Sequence, residues 1–357
     1  MTKEHAQAGT PSHEAGRIDP AGAADDSAVV GSLIEPYRRE LLAHSYRLLG
    51  SLQEAEDLVQ ETMLRAWQHF DTFKGDASLR TWLYSIATNA CLDTLRKRLR
   101  RTLPTAASPA VNPLTPIAPA PAESLWLEPF PDLWLAEATD NPEARVSRRE
   151  SVSFAFLTVL QLLPPRQRAV LLLSDVLDWR ASEVAQLLST SVSAVNSALH
   201  RARVTLAKNY HPEQQERIQV SAADRATRSL LARYVNAWET DDIDGLVALL
   251  KEDAIMSMPP SPSWLWGREA IRAFLAATTF GSEAPSHWHL SATGANAQPA
   301  FVVYRADDPL RSYRAFGLQV LTLEGEASTR CIADVTTFTV PSLVTAFGFP
   351  LELPRLS

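Results

Sequence analysis

The feature that most constrains this chain is a segment of forty residues near its middle. Residues 102–141 hold eight prolines and five acidic side chains but no lysine or arginine. Proline lacks a backbone N–H and has a fixed φ, so this segment is predicted to form neither a helix nor a central strand. The 357-residue chain is therefore predicted to fold as separate modules on either side of an acidic linker.

Apolar residues before the linker recur at spacings of three and four, which predicts a module of packed helices over residues 32–101. Residues 1–31 are small and polar and lack the order of a secretion signal, so a disordered leader and a cytoplasmic protein are expected. No stretch approaches the ~18 apolar residues of a membrane span. Cys91 and Cys331 are predicted to be lone thiols, and no metal or cofactor is expected.

Helical patterning resumes over residues 142–209. One helix is predicted from Ala181 to Leu188, and Ser191 is placed to cap a second helix that ends at Arg203. The spacing predicts an internal core of Ala185, Leu188, Val192, Val195 and Leu199. A helix-turn-helix and an ordinary helical hairpin both fit this pattern.

A short joint, residues 210–222, leads to a third region over residues 223–353. Helices are predicted at 223–239, 243–251 and 268–277, followed by apolar stretches at 287–293, 299–305, 313–323 and 329–339. Helices followed by a run of antiparallel strands indicate an α+β domain.

The net charge of −7 is unevenly distributed along the chain. Residues 32–101 carry 11 basic and 9 acidic side chains, and residues 142–222 carry 10 and 7. The linker and the third region are both acidic. Two basic modules in an acidic chain indicate where a polyanion such as DNA could bind.

Two strings in the first module carry more specific information. Residues 55–67 read AEDLVQETMLRAW and form a polar stripe, which is either a solvated helix face or a protein-docking face. Residues 73–101 begin FKGDASLRTWLYSIATNACLD and interleave aromatic side chains with cations, the combination that single-stranded DNA requires. Core packing is the alternative role of Trp82, Leu83 and Ile86, and for Trp82 and Ile86 it is the expected one. The two strings together resemble region 2 of the sigma-70 family, in its extracytoplasmic-function group.

This resemblance implies two binding surfaces. The first string would dock on the clamp helices of the polymerase largest subunit through Glu56, Asp57, Gln60 and Glu61. The second would recognise and open the minus-10 element through Lys74, Arg80, Thr81, Trp82, Tyr84, Asn89 and Arg96. Leu79 departs from the family, which often has an aromatic residue at that position.

Residues 161–203 resemble region 4 of the same group, which reads the minus-35 element. The residues implied in DNA reading are Ser193, Asn196, Ser197, His200, Arg201 and Arg203. Ser189 replaces the usual turn glycine, and Asn196 and Ala198 stand where basic residues are common. The linker could extend ~130 Å, enough to span promoter elements ~70 Å apart. Its acidity fits either a segment in a nucleic-acid channel, as the resemblance implies, or a plain spacer.

The third region resembles the SnoaL-like branch of the nuclear-transport-factor-2-like fold, a conical barrel with an apolar pocket. The string MPPSPSWLWGREAI, residues 258–271, carries this likeness. The candidate pocket residues are Met256, Met258, Trp264, Trp266, His289 and Asp334. Some members of the wider fold use a pocket carboxylate as a base, for which Asp253, Asp334, His287 and His289 are nominated. Fold alone does not give activity, and zinc is not expected.

The sequence therefore predicts a multidomain protein with two all-α sigma modules and an α+β SnoaL-like cone. Its predicted function is that of a non-enzymatic sigma factor that binds core RNA polymerase and promoter DNA. The cone is expected to contact the sigma modules and modulate them. The alternative is a DNA-targeted protein that senses or processes a small molecule in the cone. A plain helix-turn-helix repressor would not explain residues 55–93.

Overall fold

The computed structural model describes nine stretches of the chain: residues 27–73, 75, 77–98, 100–121, 126–136, 151–210, 224–280, 287–308 and 312–354. The predicted leader up to residue 26, the start of the second module at Pro142 and most of the joint lie outside them. We call the parts the N-terminal module (27–98), the linker (100–136), the helix-turn-helix module (151–210) and the cone (224–354).

The N-terminal module consists of packed helices, as its periodicity predicts. They are α1 (Ser27–Ile34), α2 (Arg38–Leu49), α3 (Leu52–Gln68) and α4 (Leu79–Arg96). Gly50 ends α2 in the left-handed conformation, with a φ of 72°. A Cβ at Gly50 would lie 2.6 Å from Leu127 Cδ2 of the linker, so the linker can pack here only against a glycine.

The linker differs from its prediction, because it contains two short helices and is packed against its neighbours. They are α5 (Pro104–Ala107) and α6 (Asp132–Ala136). Proline is tolerated at the start of α5 because the first N–H groups of a helix need no partner inside it. Four of its large apolar residues are buried, namely Trp126, Leu127, Phe130 and Leu135, whereas Leu114, Ile117 and Leu133 are exposed. Composition indicated the lack of long regular structure but not this burial.

The helix-turn-helix module contains α7 (Phe154–Leu160), α8 (Pro165–Leu171), α9 (Ala181–Leu187) and α10 (Val192–Asn209). Ser189, the turn residue, has a φ of 49°. Ser191 caps α10, its Oγ accepting a hydrogen bond from Ala194 N at 3.1 Å. The prediction of a core position at Val192 is wrong, because this first residue of α10 is 44% exposed.

The cone contains a seven-stranded sheet. Its elements are α11 (Arg225–Glu239), α12 (Ile243–Ala248), β1 (Leu250–Ser257), β2 (Trp264–Trp266), α13 (Arg268–Thr278), β3 (His287–Ala295), β4 (Gln298–Ala306), β5 (Tyr313–Glu324), β6 (Cys331–Phe338), α14 (Leu343–Ala346) and β7 (Glu352–Leu353). The strand order is β2-β1-β6-β5-β4-β3, and β7 pairs with β5.

The first two strands of the cone were not predicted. A helix was expected over residues 243–251, but α12 ends at Ala248 and β1 starts at Leu250. A short apolar run that directly follows a helix cannot be assigned from periodicity alone. Because β1 pairs with β6 in parallel, the sheet is mixed rather than antiparallel throughout.

The two faces of the sheet belong to different cores. In β4, Phe301 and Val303 point into the cone, whereas Ala300, Val302 and Tyr304 belong to a buried cluster shared with the linker and both helical modules. That shared cluster includes the stacked rings of Phe154 and Phe338, whose centroids are 5.8 Å apart. The outer face of the sheet is therefore packed against the helical modules instead of facing water.

Asn296 joins all four parts of the molecule. It lies in the two-residue turn between β3 and β4, has a φ of 55° and is fully buried. Its Oδ1 accepts a hydrogen bond from Phe130 N of the linker at 2.8 Å. Its Nδ2 donates to the Tyr46 hydroxyl at 2.8 Å and to the Val152 carbonyl at 2.6 Å. One side chain thus links the N-terminal module, the linker, the helix-turn-helix module and the cone.

We expect Asn296→Gly to destabilise the protein by at least about 2 kcal/mol, because several buried polar groups lose a partner. Glycine accepts the positive φ, so the variant removes the amide without adding backbone strain. Ala297→Gly is the matched control, since it changes the other turn residue, whose φ is 62°, and keeps the amide. Urea unfolding followed by circular dichroism measures both variants. Equal midpoints for Asn296→Gly and the wild type would contradict this role.

Candidate polymerase and nucleic-acid interfaces

One face of α3 is exposed and acidic. It presents Glu56, Asp57, Gln60 and Glu61 to solvent, with Glu61 paired to Arg65 at 2.6 Å. The same helix exposes Leu64 by 52% and Trp67 by 44%. Partial burial and the neighbouring Asp57 raise the pKa of Glu56. Exposed apolar side chains beside acids favour a docking face over a merely solvated one.

The linker holds the start of this helix. Glu128 Oε2 accepts hydrogen bonds from Ser51 Oγ at 2.9 Å and from the backbone N–H groups of Leu52 at 2.8 Å and Gln53 at 3.2 Å. A carboxylate at a helix N-terminus also interacts favourably with the helix dipole. The Glu128 carbonyl accepts from the Tyr46 hydroxyl at 2.6 Å. Sequence reasoning missed Glu128, because no local pattern ties it to a helix about 76 residues away.

Three of the residues nominated for the minus-10 element line one cleft. Thr81, Trp82 and Asn89 of α4 border a space of about 360 Å³. Its other wall includes Gln186, Leu187 and Ser189 of the helix-turn-helix module. The face of α4 nominated for strand binding therefore lies opposite α9 and the turn that follows it.

Arg80 and Tyr84 have partners within the chain. Arg80 binds both carboxylate oxygens of Glu40 at 3.0 Å. Its guanidinium lies 5.0 Å from the centre of the Tyr84 ring and 5.8 Å from that of Trp179, a residue of the helix-turn-helix module. Tyr84 is fully buried, because it packs between Trp179 and His44, and so it is not a surface residue of this arrangement.

Among the other nominated residues, Arg96 does not line the cleft. Arg96 is exposed at the end of α4 and pairs with Asp93 at 2.6 Å, and Lys74 lies outside the described residues. Beneath α4, His44 Nε2 lies 2.9 Å from Thr88 Oγ1. Burial, with smaller contributions from Arg47 and Arg80, lowers the pKa of His44 to about 3, so this histidine is neutral.

The recognition helix α10 is open to solvent. All six residues nominated for the minus-35 element are exposed: Ser193, Asn196, Ser197, His200, Arg201 and Arg203. Arg203 forms an ion pair with Asp175 at 2.6 Å. An exposed helix that follows a capped tight turn has the geometry required to enter a major groove.

The cone encloses a cavity of about 240 Å³, to which Met256 and Met258 contribute. The other four residues nominated for the pocket lie outside its lining, which corrects that nomination. Trp264 hydrogen-bonds through Nε1 to Ser108 O of the linker at 2.7 Å, and Trp266 is 61% exposed.

His289 and Asp334 point away from the cavity because side chains alternate along a strand. Trp288 and Val335, their strand neighbours, take the inward positions. His289 Nδ1 lies 2.8 Å from Glu239 Oε1. Asp334 accepts a hydrogen bond from Thr336 Oγ1 at 3.0 Å, and burial raises its pKa to about 6.

The remaining nominated bases, Asp253 and His287, do not line the cavity. Asp253 pairs with Lys251 at 3.2 Å, and His287 is the first residue of β3. Within the described ranges, no three histidine, cysteine, aspartate or glutamate side chains cluster as metal ligands would. In the same ranges, no helix has the length and apolar character needed to cross a bilayer.

An exposed acidic helix face, an aromatic and polar face on a neighbouring helix, and an exposed helix after a capped turn are features expected of a transcription factor that engages both polymerase and DNA. The sequence matches Sigma-70 region 2 over residues 33–101, Sigma-70 region 4 over residues 153–206 and the SnoaL-like domain over residues 231–330. The chain belongs to the extracytoplasmic-function (ECF) group of RNA polymerase sigma factors.

Two relatives from Mycobacterium tuberculosis share this organisation. The chain is 45% identical to the ECF RNA polymerase sigma factor SigG over 321 residues, which is 89% of this chain and 83% of SigG. It is 32% identical to SigJ over 222 residues, or 62% of each chain. The crystal structure of SigJ aligns with 90% of this chain and 99% of the SigJ chain. The TM-score is 0.51 and the sequence identity is 22%. The protein is thus a sigma factor that directs RNA polymerase to promoters and carries a SnoaL-like extension.

Proposed function

We propose that the linker and cone hold this sigma factor in a closed state that must open before it can use a promoter. The observation that carries the proposal is the cleft in which Thr81, Trp82 and Asn89 face Gln186 and Ser189. A base drawn from the duplex would have to bind in this cleft, where the helix-turn-helix module forms one wall. In the closed state, α9 and the turn after it restrict access to the minus-10 surface.

Distance gives a second argument for opening. Ser189 borders the cleft and lies three residues before Val192, where the recognition helix starts. Three residues span at most ~10 Å. The two promoter elements, about two helical turns apart, are separated by ~70 Å. The two DNA-binding surfaces therefore cannot bind both elements at once until the modules separate.

The contacts that would hold the closed state come from the linker and the cone. A single buried cluster contains side chains from both helical modules, the linker and the outer face of the cone sheet. Arg168 is buried in the helix-turn-helix module and donates to the Leu48 carbonyl of α2. Breaking such contacts exposes apolar surface and buried polar groups, so separation needs compensating contacts with polymerase and DNA.

The roles of individual residues follow from this state. Glu56, Asp57, Gln60 and Glu61 bind polymerase on a face that is already exposed. Binding there leads to opening, after which Arg80, Thr81, Trp82, Asn89 and Arg96 meet the minus-10 strand. The six exposed residues of the recognition helix read the minus-35 duplex. The protein acts without catalysis, in the cytoplasm where polymerase works. Among the described residues, those that line the cavity include no carboxylate or histidine that could act as a base.

Asp57→Lys should reduce binding to core polymerase at least tenfold, because reversal places a like charge against a basic partner surface. Asp71→Lys is the matched control, an exposed aspartate in the turn after α3. Binding is measured by surface plasmon resonance, and circular dichroism verifies an unchanged helix content. Equal affinity of both variants for polymerase would reject α3 as the docking helix.

Asn196→Ala or Arg201→Ala should weaken holoenzyme binding to a duplex minus-35 element by about 1–3 kcal/mol, the usual cost of a lost base contact. Asn89→Ala should leave that affinity unchanged and impair opening of the minus-10 element. Gel-shift titration measures duplex binding, and permanganate reactivity of unpaired thymines measures opening. An exchange of these two effects would reverse the assignment of the modules.

Asn296→Gly should raise transcription from a cognate promoter at least threefold at limiting polymerase, because it removes bonds that hold the closed state. Leu321→Ala is the control, since Leu321 is buried in the inner core of the cone and away from the helical modules. Run-off transcription with full-length proteins gives the comparison. Equal or lower transcription by Asn296→Gly would mean that the closed state does not limit activity.

A further inference from the structure

Most of the wall of the cone's cavity is apolar. Rings and aliphatic side chains form most of its wall, including those of Trp238, Met256, Phe274 and Trp288. Arg305 is the one cationic side chain among the described residues of the lining, and it is exposed. It is bonded to Asp307 at 2.9 Å, so its charge is already compensated at the rim. A charged molecule would lose its hydration in this cavity without gaining an ion pair.

Uncharged polar residues also line the cavity: Ser261, Thr278, Thr279, Gln319, Thr337 and Thr339. Thr278 and Thr339 donate their hydroxyls to backbone carbonyls, and Ser261 Oγ accepts from Ser263 N. Gln319 and Thr337, directly opposite each other on β5 and β6, form the most buried polar position. Gln319 is 1% exposed, and its Oε1 accepts a hydrogen bond from the Tyr234 hydroxyl at 3.0 Å. This bond fixes the orientation of the amide and leaves its N–H₂ group as the end available to the cavity. Thr337 is 5% exposed and lies beside it. A buried amide donor in an apolar cavity requires an acceptor.

We propose that this cavity binds a small, uncharged, apolar molecule whose carbonyl oxygen accepts a hydrogen bond from the Gln319 amide. The apolar walls select the body of the molecule, and the Gln319 and Thr337 pair selects the carbonyl. Because the described residues that line the cavity include no carboxylate or histidine, the molecule is bound without being converted. The cone is then a ligand sensor.

The linker forms part of the same site. Ile117 belongs to the cavity lining and is 44% exposed, which places this linker residue at the mouth. Nearby, Ala118 N donates to Ser263 Oγ at 3.0 Å, and Val111 N donates to the Trp264 carbonyl at 2.9 Å. Both acceptors follow closely after Ser261, another lining residue. One loop of the cone therefore touches the ligand cavity on one side and the linker on the other.

The direction of coupling follows from linkage. A ligand that contacts Ile117 has more contacts when the linker is docked than when it is released, so it must favour the docked state. Its effect on transcription rests on the closed state proposed above, and the ligand would act as a repressor. Binding itself does not depend on that proposal and is measured without polymerase or DNA.

The test uses the four methionines of the full-length chain as probes. Protein labelled with ¹³C-methyl methionine is titrated with 1-tetralone, with camphor and, as a control without a carbonyl, with tetralin. We expect both ketones to shift the Met256 and Met258 signals and to leave Met63, in the N-terminal module, unchanged. Tetralin should bind about tenfold more weakly than 1-tetralone. Absence of shifts with both ketones up to their solubility limits, or equal affinity for tetralin, overturns the proposed ligand class.

Variants separate the carbonyl contact from the linker contact. Gln319→Leu and the milder Thr337→Val should each weaken 1-tetralone binding, about tenfold and threefold, and leave tetralin binding unchanged. Ile117→Ala should weaken the binding of both compounds about threefold. Hydrogen exchange of the Val111 and Ala118 amides should slow at least threefold when 1-tetralone saturates the protein. Binding without this slowing overturns the coupling to the linker, and slowing without a change in transcription counts against the closed state instead.

Discussion

The arrangement depends on a single buried amide. The side chain of Asn296 bonds to Tyr46, Phe130 and Val152, which belong to three different parts of the chain, while its own backbone turns between two strands of the cone. A buried donor or acceptor without a partner is costly, so these parts satisfy one another only when all are in place. The turn also needs a positive φ, which asparagine tolerates better than most residues. One position therefore meets a backbone requirement and a docking requirement together.

The linker has more structural importance than its composition indicates. Glu128 caps α3, Trp126 Nε1 donates to the Pro260 carbonyl at 2.6 Å, and Leu127 packs at the site where Gly50 leaves room. The same segment thus contacts the N-terminal module and the cone. Its prolines exclude long helices and leave it free to follow the surfaces of its neighbours. Release of this segment would remove contacts from both parts at once.

A sigma factor must present two DNA-binding surfaces far apart, yet a folded chain buries apolar surface by bringing its parts together. Here the cone adds an apolar sheet face that the helical modules cover. The recognition helix and the acidic face of α3 stay exposed, whereas Thr81, Trp82 and Asn89 lie in the cleft between the modules. In the proposed closed state, the surfaces proposed for polymerase and for the upstream duplex are accessible. Strand binding would follow once the modules separate.

The amino-acid sequence alone determined the local structure and the type of protein. Spacings of three and four located the long helices, Ser191 marked the start of the recognition helix, and apolar stretches between turn residues located β3 to β6 to within a few residues. These features depend on neighbours in the chain. Tertiary structure alone decided that Asp334 and His289 face away from the cavity, that Tyr84 is buried, and that a linker glutamate caps α3. Each of these results depends on which surfaces meet, and such contacts join residues far apart in sequence, where no local pattern records them.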